Sequence, residues 1–217
     1  MNNVKIAPSI LSANYAEMGK AIKEICDAGA DFIHVDVMDG VFVPNINFGI
    51  KMVKDLRPIT KNVLDVHLMI TKPERYIEAF AKAGSDYITI HYEACEEPVI
   101  DVLKKIRELG VKSAISIKPD TEVEVLKDLL PYVDMILIMS VYPGFGGQKY
   151  IKESTERISK TRKMIEESGL DILLEVDGGI TLDNIKEVLD AGADTIVAGS
   201  TVFNAEDKKA VIKALRG

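Results

Sequence analysis

The chain has 217 residues, of which 47% are hydrophobic and 28% charged, and its formal net charge is −7. This composition is that of a globular protein with a substantial core, and the length suits one large domain or two small ones. The negative charge argues against nucleic acid as a main partner, because proteins that bind it usually carry a basic patch. The sequence shows no long apolar segment of the kind found in signal peptides or membrane spans. We therefore expect a cytoplasmic protein without a membrane partner.

Strand-like and helix-like segments alternate along the whole chain. Short runs rich in β-branched and apolar residues predict eight strands, at residues 4–10, 32–36, 63–69, 87–91, 112–117, 135–139, 172–177 and 195–198. Amphipathic patterns after these strands predict eight helices, at residues 13–28, 49–56, 73–83, 98–109, 123–130, 151–167, 184–191 and 207–215. A weak repeat of the type Asp-Ala-Gly-Ala-Asp follows three helices, and its glycine can close each helix in the left-handed conformation. The repeat occupies residues 27–31, 82–86 and 190–194.

Eight strand–helix units without an intervening linker predict one α/β domain over residues 1–217 with a parallel sheet. Eight units in a little over 200 residues fit a single-domain (β/α)8 TIM barrel. The alternative is a doubly wound open sheet. That fold would carry a glycine-rich turn after its first strand, and residues 7–10 (APSI) do not form one.

Polar residues stand at the predicted carboxyl ends of the strands, where TIM barrels gather their chemistry. These residues are Ser9, His34, Asp36, His67, His91, Ser140 and Asp177. His34 and Asp36 are two positions apart on one strand, so both side chains point to the same face. Together with His67 and Asp177 they could form a nitrogen–oxygen site for Zn²⁺ or a similar transition metal. The alternative is that ordinary hydrogen bonds pair these polar groups in the core.

Glycine-rich loops follow three consecutive predicted strands, at residues 143–148, 177–179 and 198–200. Glycines allow backbone N–H groups to turn toward an anion, and a short helix starting near Ser200 would add its positive end. The loops after the seventh and eighth strands are the usual phosphate site of TIM barrels. Three ordinary tight turns are the alternative, but three adjacent glycine loops favour a phosphate site.

Seven segments form an ordered set of motifs between residues 6 and 203: IAPSILSA (6–13), HVDVMDG (34–40), FVPN (42–45), DVHLM (65–69), MSVYPGFGGQ (139–148), EVDGG (175–179) and VAGS (197–200). The set resembles the ribulose-phosphate 3-epimerase family. The resemblance implies a TIM barrel of the ribulose-phosphate-binding type that interconverts D-ribulose 5-phosphate and D-xylulose 5-phosphate in the pentose phosphate pathway. Members of this family form dimers and hexamers, so we expect a homo-oligomer.

The resemblance also implies roles for individual residues. His34, Asp36, His67 and Asp177 would hold one divalent metal ion, most often zinc, although iron, manganese or cobalt can serve in relatives. The residues that would bind the sugar phosphate are Ser9, His67, Gly144, Phe145, Gly146, Gly147, Asp177, Gly178, Gly179, Gly199 and Ser200. Met38, Met69 and Met139 would form a wall near the reacting carbon, although methionines in most proteins simply fill gaps in the core.

Epimerisation next to a ketone removes a proton from one face of a carbon and delivers a proton to the other face. Two carboxylates on opposite sides of the sugar suit this reaction better than one. We predict that Asp36 and Asp177 are these two acid/base groups, with roles that exchange in the reverse direction. The metal would stabilise the enediolate between the two steps as a Lewis acid.

Three other functions stay open at this point. A metal-free sugar-phosphate isomerase or lyase on the same barrel would leave His34 and His67 without a task. A catalytically silent sugar-phosphate-binding protein would need no intact pair of aspartates. An allulose 6-phosphate epimerase shares the fold, metal set and chemistry, but usually departs from the sequence PGFGG found here at residues 143–147. Tyr142 and Lys118 differ from the commonest family residues at the pocket rim, and residues 41–45 are the predicted lid.

Overall fold

Eight parallel strands close into a barrel in the computed structural model, which describes residues 4–217. The strands are β1 (Lys5–Ala7), β2 (Phe32–Met38), β3 (Val63–Met69), β4 (Tyr87–His91), β5 (Lys112–Ile117), β6 (Met135–Met139), β7 (Leu173–Asp177) and β8 (Thr195–Val197). Seven neighbouring pairs are hydrogen-bonded in the order β1-β8-β7-β6-β5-β4-β3-β2. The barrel closes between β1 and β2, where the His34 N–H donates to the Pro8 carbonyl at 3.2 Å. The first three residues of the predicted domain lie outside the described residues.

Helices connect the strands, as the alternating pattern predicts. They are α1 (Met18–Asp27), α2 (Ile50–Leu56), α3 (Ile77–Ala83), α4 (Val99–Glu108), α5 (Ser154–Ser168), α6 (Ile185–Asp190), α7 (Ser200–Phe203) and α8 (Lys208–Ala214). In α1 the buried residues are Met18, Ile22 and Ile25, whose spacing places them on one helical face. No helix among residues 4–217 is long and apolar enough to cross a membrane.

Several predicted boundaries are wrong, and local chemistry explains them. β1 ends at Ala7, because Pro8 has no N–H with which to continue the ladder. α1 begins five residues later than predicted, because Asn14 caps a separate 3-10 turn at Tyr15–Glu17. The predicted helix at residues 123–130 is instead a 3-10 helix at Val123–Tyr132, and Pro131 inside it cannot donate a backbone hydrogen bond.

The repeat seen in the sequence builds the amino-terminal end of the barrel. In its second copy, Gly84 closes α3 with φ +105°, and Arg57 donates to the Gly84 carbonyl and to the Asp86 carboxylate. The same carboxylate accepts the backbone N–H of Leu64 at 2.7 Å, which links β3 to the start of β4. In each of the other two copies, the last aspartate likewise contacts an arginine and accepts a backbone N–H. Asp31 contacts Arg216 and accepts from the Ile6 N–H. Asp194 contacts Arg162 and accepts from the Leu174 N–H.

Alternate side chains of each strand point into the barrel, and their polarity changes along its axis. Near the amino-terminal end the interior is apolar, and the rings of Phe32 and Tyr87 lie 5.6 Å apart. Two residues further along the strands the interior side chains are ionisable, including His34, Asp65 and Glu175, all fully buried. The apolar layer therefore closes one end of the barrel below a polar layer that faces the other end.

Candidate active site

The four side chains predicted to bind a metal meet at the carboxyl end of the barrel. His34, Asp36, His67 and Asp177 each direct one donor atom into a cluster in which all these atoms lie within 4.8 Å of one another. Asp36 is central: its Oδ1 lies 3.3 Å from His34 Nε2 and 3.2 Å from His67 Nδ1. The register of the sheet produces this arrangement, because Asp36 on β2 pairs with His67 on β3.

The two aspartates have different electrostatic surroundings. Burial alone would raise the pKa of Asp36, but the His34 and His67 imidazoles hold it well below its usual range. Burial, together with the nearby Asp36 carboxylate, raises the pKa of Asp177 to about 6. The site therefore favours an ionised Asp36 next to an Asp177 that takes up a proton much more readily.

The donor set fits a divalent cation. His34 Nε2 is fully buried, and its 3.3 Å contact with Asp36 Oδ1 lacks the geometry of a hydrogen bond, so this nitrogen makes none among the described residues. A buried nitrogen without a hydrogen bond is costly. His34 Nε2 points at a cluster of one imidazole nitrogen and two carboxylates, which is a mixture of ligands that zinc and similar transition metals accept. A cation at this cluster would pair the nitrogen and offset the repulsion between the two carboxylates.

Two buried acids for which no role was predicted lie behind His34. His34 Nδ1 contacts the Asp65 carboxylate at 2.5 Å, and Glu175 Oε1 lies 3.8 Å from the same nitrogen. Burial and the proximity of Asp65 raise the pKa of Glu175 well above its ordinary value. The spacing in the sequence could have indicated both residues. Each stands two positions before a predicted site residue, His67 or Asp177, and so shares its strand face.

The third histidine lies behind His67. His91 was predicted at a strand end, without a role. Its Nε2 lies 2.9 Å from His67 Nε2, and its Nδ1 lies 3.2 Å from Glu93 Oε2. Burial lowers the pKa of His91 to about 4. Burial alone would raise the pKa of Glu93, but hydrogen bonds from His91, the Thr121 hydroxyl and the Lys118 N–H lower it to about 2.

A cleft of about 380 Å³ opens above the cluster, which is the size of a typical small-molecule site. Most of the predicted site residues line it: Ser9, Asp36, Met38, Met69, Met139, Gly144, Phe145, Gly146, Gly147, Asp177, Gly178, Gly179, Gly199 and Ser200. His34 and His67 do not line the cleft. They are fully buried beside it, in contact with Asp36.

The three glycine loops border one side of this cleft. Within residues 4–217, the backbone N–H groups of Gly146, Gly147 and Gly179 donate no hydrogen bond, so they are free to bind an anion. Gly179 has φ +66°, and a Cβ there would lie 2.3 Å from the Tyr150 backbone nitrogen, so no side chain fits. The predicted short helix is present as α7 (Ser200–Phe203). No role was predicted for Gln148 within the first loop. Its side chain spans that loop by donating to the Tyr142 and Phe145 carbonyls.

The predicted lid lies against the first glycine loop. Asn45 Nδ2 donates to the Gly144 carbonyl at 2.9 Å, and Val43 is buried with Met38 and Met69. The Phe42 ring packs 4.9 Å from the His91 ring, and the Lys118 ammonium lies 4.0 Å from the centre of the Phe42 ring. Lys118 therefore contacts the lid and does not line the cleft. Tyr142 is exposed outside the cleft.

An eight-stranded α/β barrel with ionisable side chains and glycine loops at the carboxyl ends of its strands is a TIM-barrel enzyme. The model of the Ribulose-phosphate 3 epimerase family matches residues 5–203. A ribulose-phosphate 3-epimerase of Synechocystis sp. is 52% identical over 215 residues, which are 99% of this chain and 94% of the relative. That of Bacillus subtilis is 46% identical and 99% of each chain is covered. The chain belongs to the ribulose-phosphate 3-epimerase family and is an enzyme of the isomerase class.

Solved structures of lower identity share the fold. KGPDC from Streptococcus mutans superposes with a TM-score of 0.75 at 14% identity, covering 98% of this chain and 95% of that one. The 3-hexulose-6-phosphate synthase from Salmonella typhimurium gives a TM-score of 0.72 at 16% identity, covering 98% and 96%. These likenesses and the closed sheet confirm the predicted TIM barrel, and the alternative of a doubly wound sheet is wrong.

Proposed function

We propose that the chain interconverts D-ribulose 5-phosphate and D-xylulose 5-phosphate by epimerisation at C3. Family membership supports the activity, and the observation that carries the mechanism is the pair formed by Asp36 and Asp177. These two carboxyls share one site, and their pKa values are shifted in opposite directions. Such a pair suits a reaction that needs one proton acceptor and one proton donor on opposite faces of a carbon.

In the proposed reaction, the ionised carboxylate of Asp36 takes the proton from C3. The electron pair of the C–H bond becomes the C2=C3 double bond of an enediolate, and the electrons of the C2 carbonyl move to its oxygen. Asp177 then gives its proton to the opposite face of C3 while the carbonyl re-forms. The two roles exchange in the reverse direction. Ser9 would orient the base, since its hydroxyl donates to Asp36 Oδ2 at 2.5 Å.

One divalent cation would be held by His34, Asp36, His67 and Asp177. The buried Nε2 of His34, which makes no hydrogen bond among the described residues, and the mixed nitrogen–oxygen donor set support this assignment. Zinc suits these ligands best, and iron, manganese or cobalt would also fit. When bound, the cation supplies Lewis-acid stabilisation of negative charge on the substrate oxygens. Each aspartate would then serve both as a ligand and as an acid/base group.

The glycine loops would bind the phosphate end of the sugar through backbone N–H groups. The proposed contacts are Gly144, Phe145, Gly146, Gly147, Gly178, Gly179, Gly199 and Ser200, with Ser9 and Asp177 nearer the reacting carbon. His67, predicted as a further contact, is fully buried beside the cleft and would act through the metal. Met38, Met69 and Met139 are buried and line the cleft. We propose that their sulfurs pack against the reacting carbon of the substrate. The pentose phosphate pathway, a cytoplasmic location and a homo-oligomer remain predictions from the sequence.

The test is to incubate Zn²⁺-loaded protein with ribulose 5-phosphate in D₂O and to follow C3 by NMR. We expect xylulose 5-phosphate that carries deuterium at C3, and we expect a chelator to abolish its formation. Exchange without epimer would mean that a single base acts on this sugar, and allulose 6-phosphate would then be the substrate to test. No exchange on either sugar would contradict the proposed reaction. Full turnover after verified metal removal would instead support a metal-free isomerase.

A further inference from the structure

His91 lies on the side of His67 that faces away from Asp36. Its Nε2 is 2.9 Å from His67 Nε2, while His67 Nδ1 is 3.2 Å from Asp36 Oδ1. We propose that His91 is a positioning residue: it holds His67 in the tautomer whose proton is on Nε2, and so presents Nδ1 to the metal. Glu93 sets the polarity of this chain of hydrogen bonds. The inference rests on the metal site of the proposed function.

The polarity follows from counting donors, beginning at Glu93. A carboxylate only accepts hydrogen bonds, whereas a neutral imidazole has one N–H and one acceptor nitrogen. Glu93 Oε1 accepts from the Lys118 N–H at 2.8 Å and from the Thr121 hydroxyl, so the orientation of the carboxylate is fixed. Glu93 Oε2 then faces His91 Nδ1 at 3.2 Å, and this nitrogen must carry the proton.

The remaining nitrogen of His91 is therefore an acceptor. Because it lies 2.9 Å from His67 Nε2, the proton between the two rings belongs to His67. The opposite tautomer of His67 would bring two lone pairs together at this distance. In the absence of a cation, a second proton on His67 Nδ1 would donate to Asp36 Oδ1, 3.2 Å away. On cation binding that proton would leave and the lone pair of Nδ1 would become the ligand, while Nε2 keeps its proton toward His91.

Packing also fixes the ring of His91. The side chain is fully buried, and it lies between the His67 ring, 5.0 Å away and nearly parallel, and the Phe42 ring, 4.9 Å away. His34 receives an equivalent contact from a different type of partner, the Asp65 carboxylate at 2.5 Å. Each of the two histidines proposed as ligands thus has an acceptor behind it, and such outer partners typically contribute about 10–100-fold in metal affinity.

The affinity of the full chain for Zn²⁺, measured by competition with a chromophoric chelator, tests the proposal without a turnover assay. We expect His91→Leu to bind Zn²⁺ about 10–100-fold more weakly than wild type. His91→Gln should recover part of this loss, because its amide oxygen can accept from His67 Nε2. The matched control is Ser116→Ala: Ser116 pairs with His91 in the sheet and is fully buried, and its hydroxyl has no partner within residues 4–217.

The chain has three histidines, so ¹⁵N NMR of histidine-labelled, Zn²⁺-loaded protein can report every tautomer. We expect the proton of His91 on Nδ1 and that of His67 on Nε2. Glu93→Gln should invert His91, because its amide oxygen stays with Lys118 and Thr121 while its NH₂ group faces His91 Nδ1. This variant should also lower the affinity for Zn²⁺, and a purely structural role of Glu93 would produce no inversion.

The inference alone would be overturned by a Zn²⁺ affinity of folded His91→Leu within twofold of wild type, or by a spectrum of the Zn²⁺-loaded wild type with the proton of His67 on Nδ1 and not on Nε2. Failure of the wild-type chain to bind Zn²⁺ would overturn the proposed metal site and the inference with it. Similar losses in Ser116→Ala and His91→Leu would also contradict it, because packing at this level of the barrel would then explain both.

Discussion

The two ends of the barrel use aspartates in opposite ways. At the amino-terminal end, Asp86 lies between the Arg57 guanidinium and a backbone N–H, and Asp31 and Asp194 have equivalent partners. At the carboxyl end, Asp36 and Asp177 have no Lys or Arg partner among the described ion pairs and face imidazoles and each other. A carboxylate paired with an arginine and a backbone N–H stabilises the fold. A carboxylate close to a second carboxylate, without such a partner, can exchange protons and bind a cation.

The largest effect should come from a change at the carboxyl end. Asp36→Asn removes the proposed base, so we expect the rate of xylulose 5-phosphate formation to fall by about 10²–10⁴-fold. The matched control at the other end is Asp194→Asn, which should leave this rate nearly unchanged. Near-normal turnover of Asp36→Asn with metal bound would show that Asp36 is not the base.

A second prediction separates steric contact from backbone strain in the glycine loops. Gly179→Ala places a Cβ at a positive φ and 2.3 Å from a backbone nitrogen, so we expect weaker substrate binding and a lower Tm. Gly147→Ala has a similar φ of +72° but meets no atom within 4 Å, so its effects should be smaller. KM and thermal unfolding measured on both variants test this, and equal effects would mean that the close approach at Gly179 has no influence.

Substitutions at the amino-terminal end of the barrel should lower the free energy of unfolding and leave kcat unchanged. Arg162 donates to the Gly192 carbonyl at 2.7 Å and to Asp194 at 2.6 Å, so Arg162→Leu should lower the free energy of unfolding by about 1–3 kcal/mol. The control is Lys186→Leu, whose ion pair with Asp190 is highly exposed and should contribute less than about 1 kcal/mol. Urea unfolding measures both. A reduced kcat in folded Arg162→Leu would contradict the separation of the two ends.

The effect confined to the narrowest range of conditions concerns acid stability. Because the pKa of Glu93 is lowered from 4.5 to about 2, its ionised form stabilises the folded chain at pH values above 4.5. This contribution should be lost as the pH falls from 4.5 toward 2. We therefore expect the difference in unfolding free energy between wild type and Glu93→Gln to shrink over that range. A difference that is constant with pH would mean that the charge of Glu93 does not stabilise the fold.

Much of the fold was predictable from local patterns. The predicted bounds of β3, β4, β5 and β6 agree with the structure, because runs of β-branched and apolar residues between turn signals define buried strands. The start of α1 and the 3-10 helix at Val123–Tyr132 were not predicted, because the Asn14 cap and Pro131 outweigh the periodicity of the apolar residues.

The sequence by itself determined the barrel, the family and the set of candidate residues, because alternation along strands and ordered motifs are properties of the linear chain. Only the tertiary structure decided which groups meet. Asp65 supports His34 across 31 positions, and His91 contacts His67 across 24. These contacts depend on the register between neighbouring strands and on side-chain rotation, which no local pattern specifies. The difference between the pKa values of Asp36 and Asp177 likewise arises from burial and from charges brought together by folding.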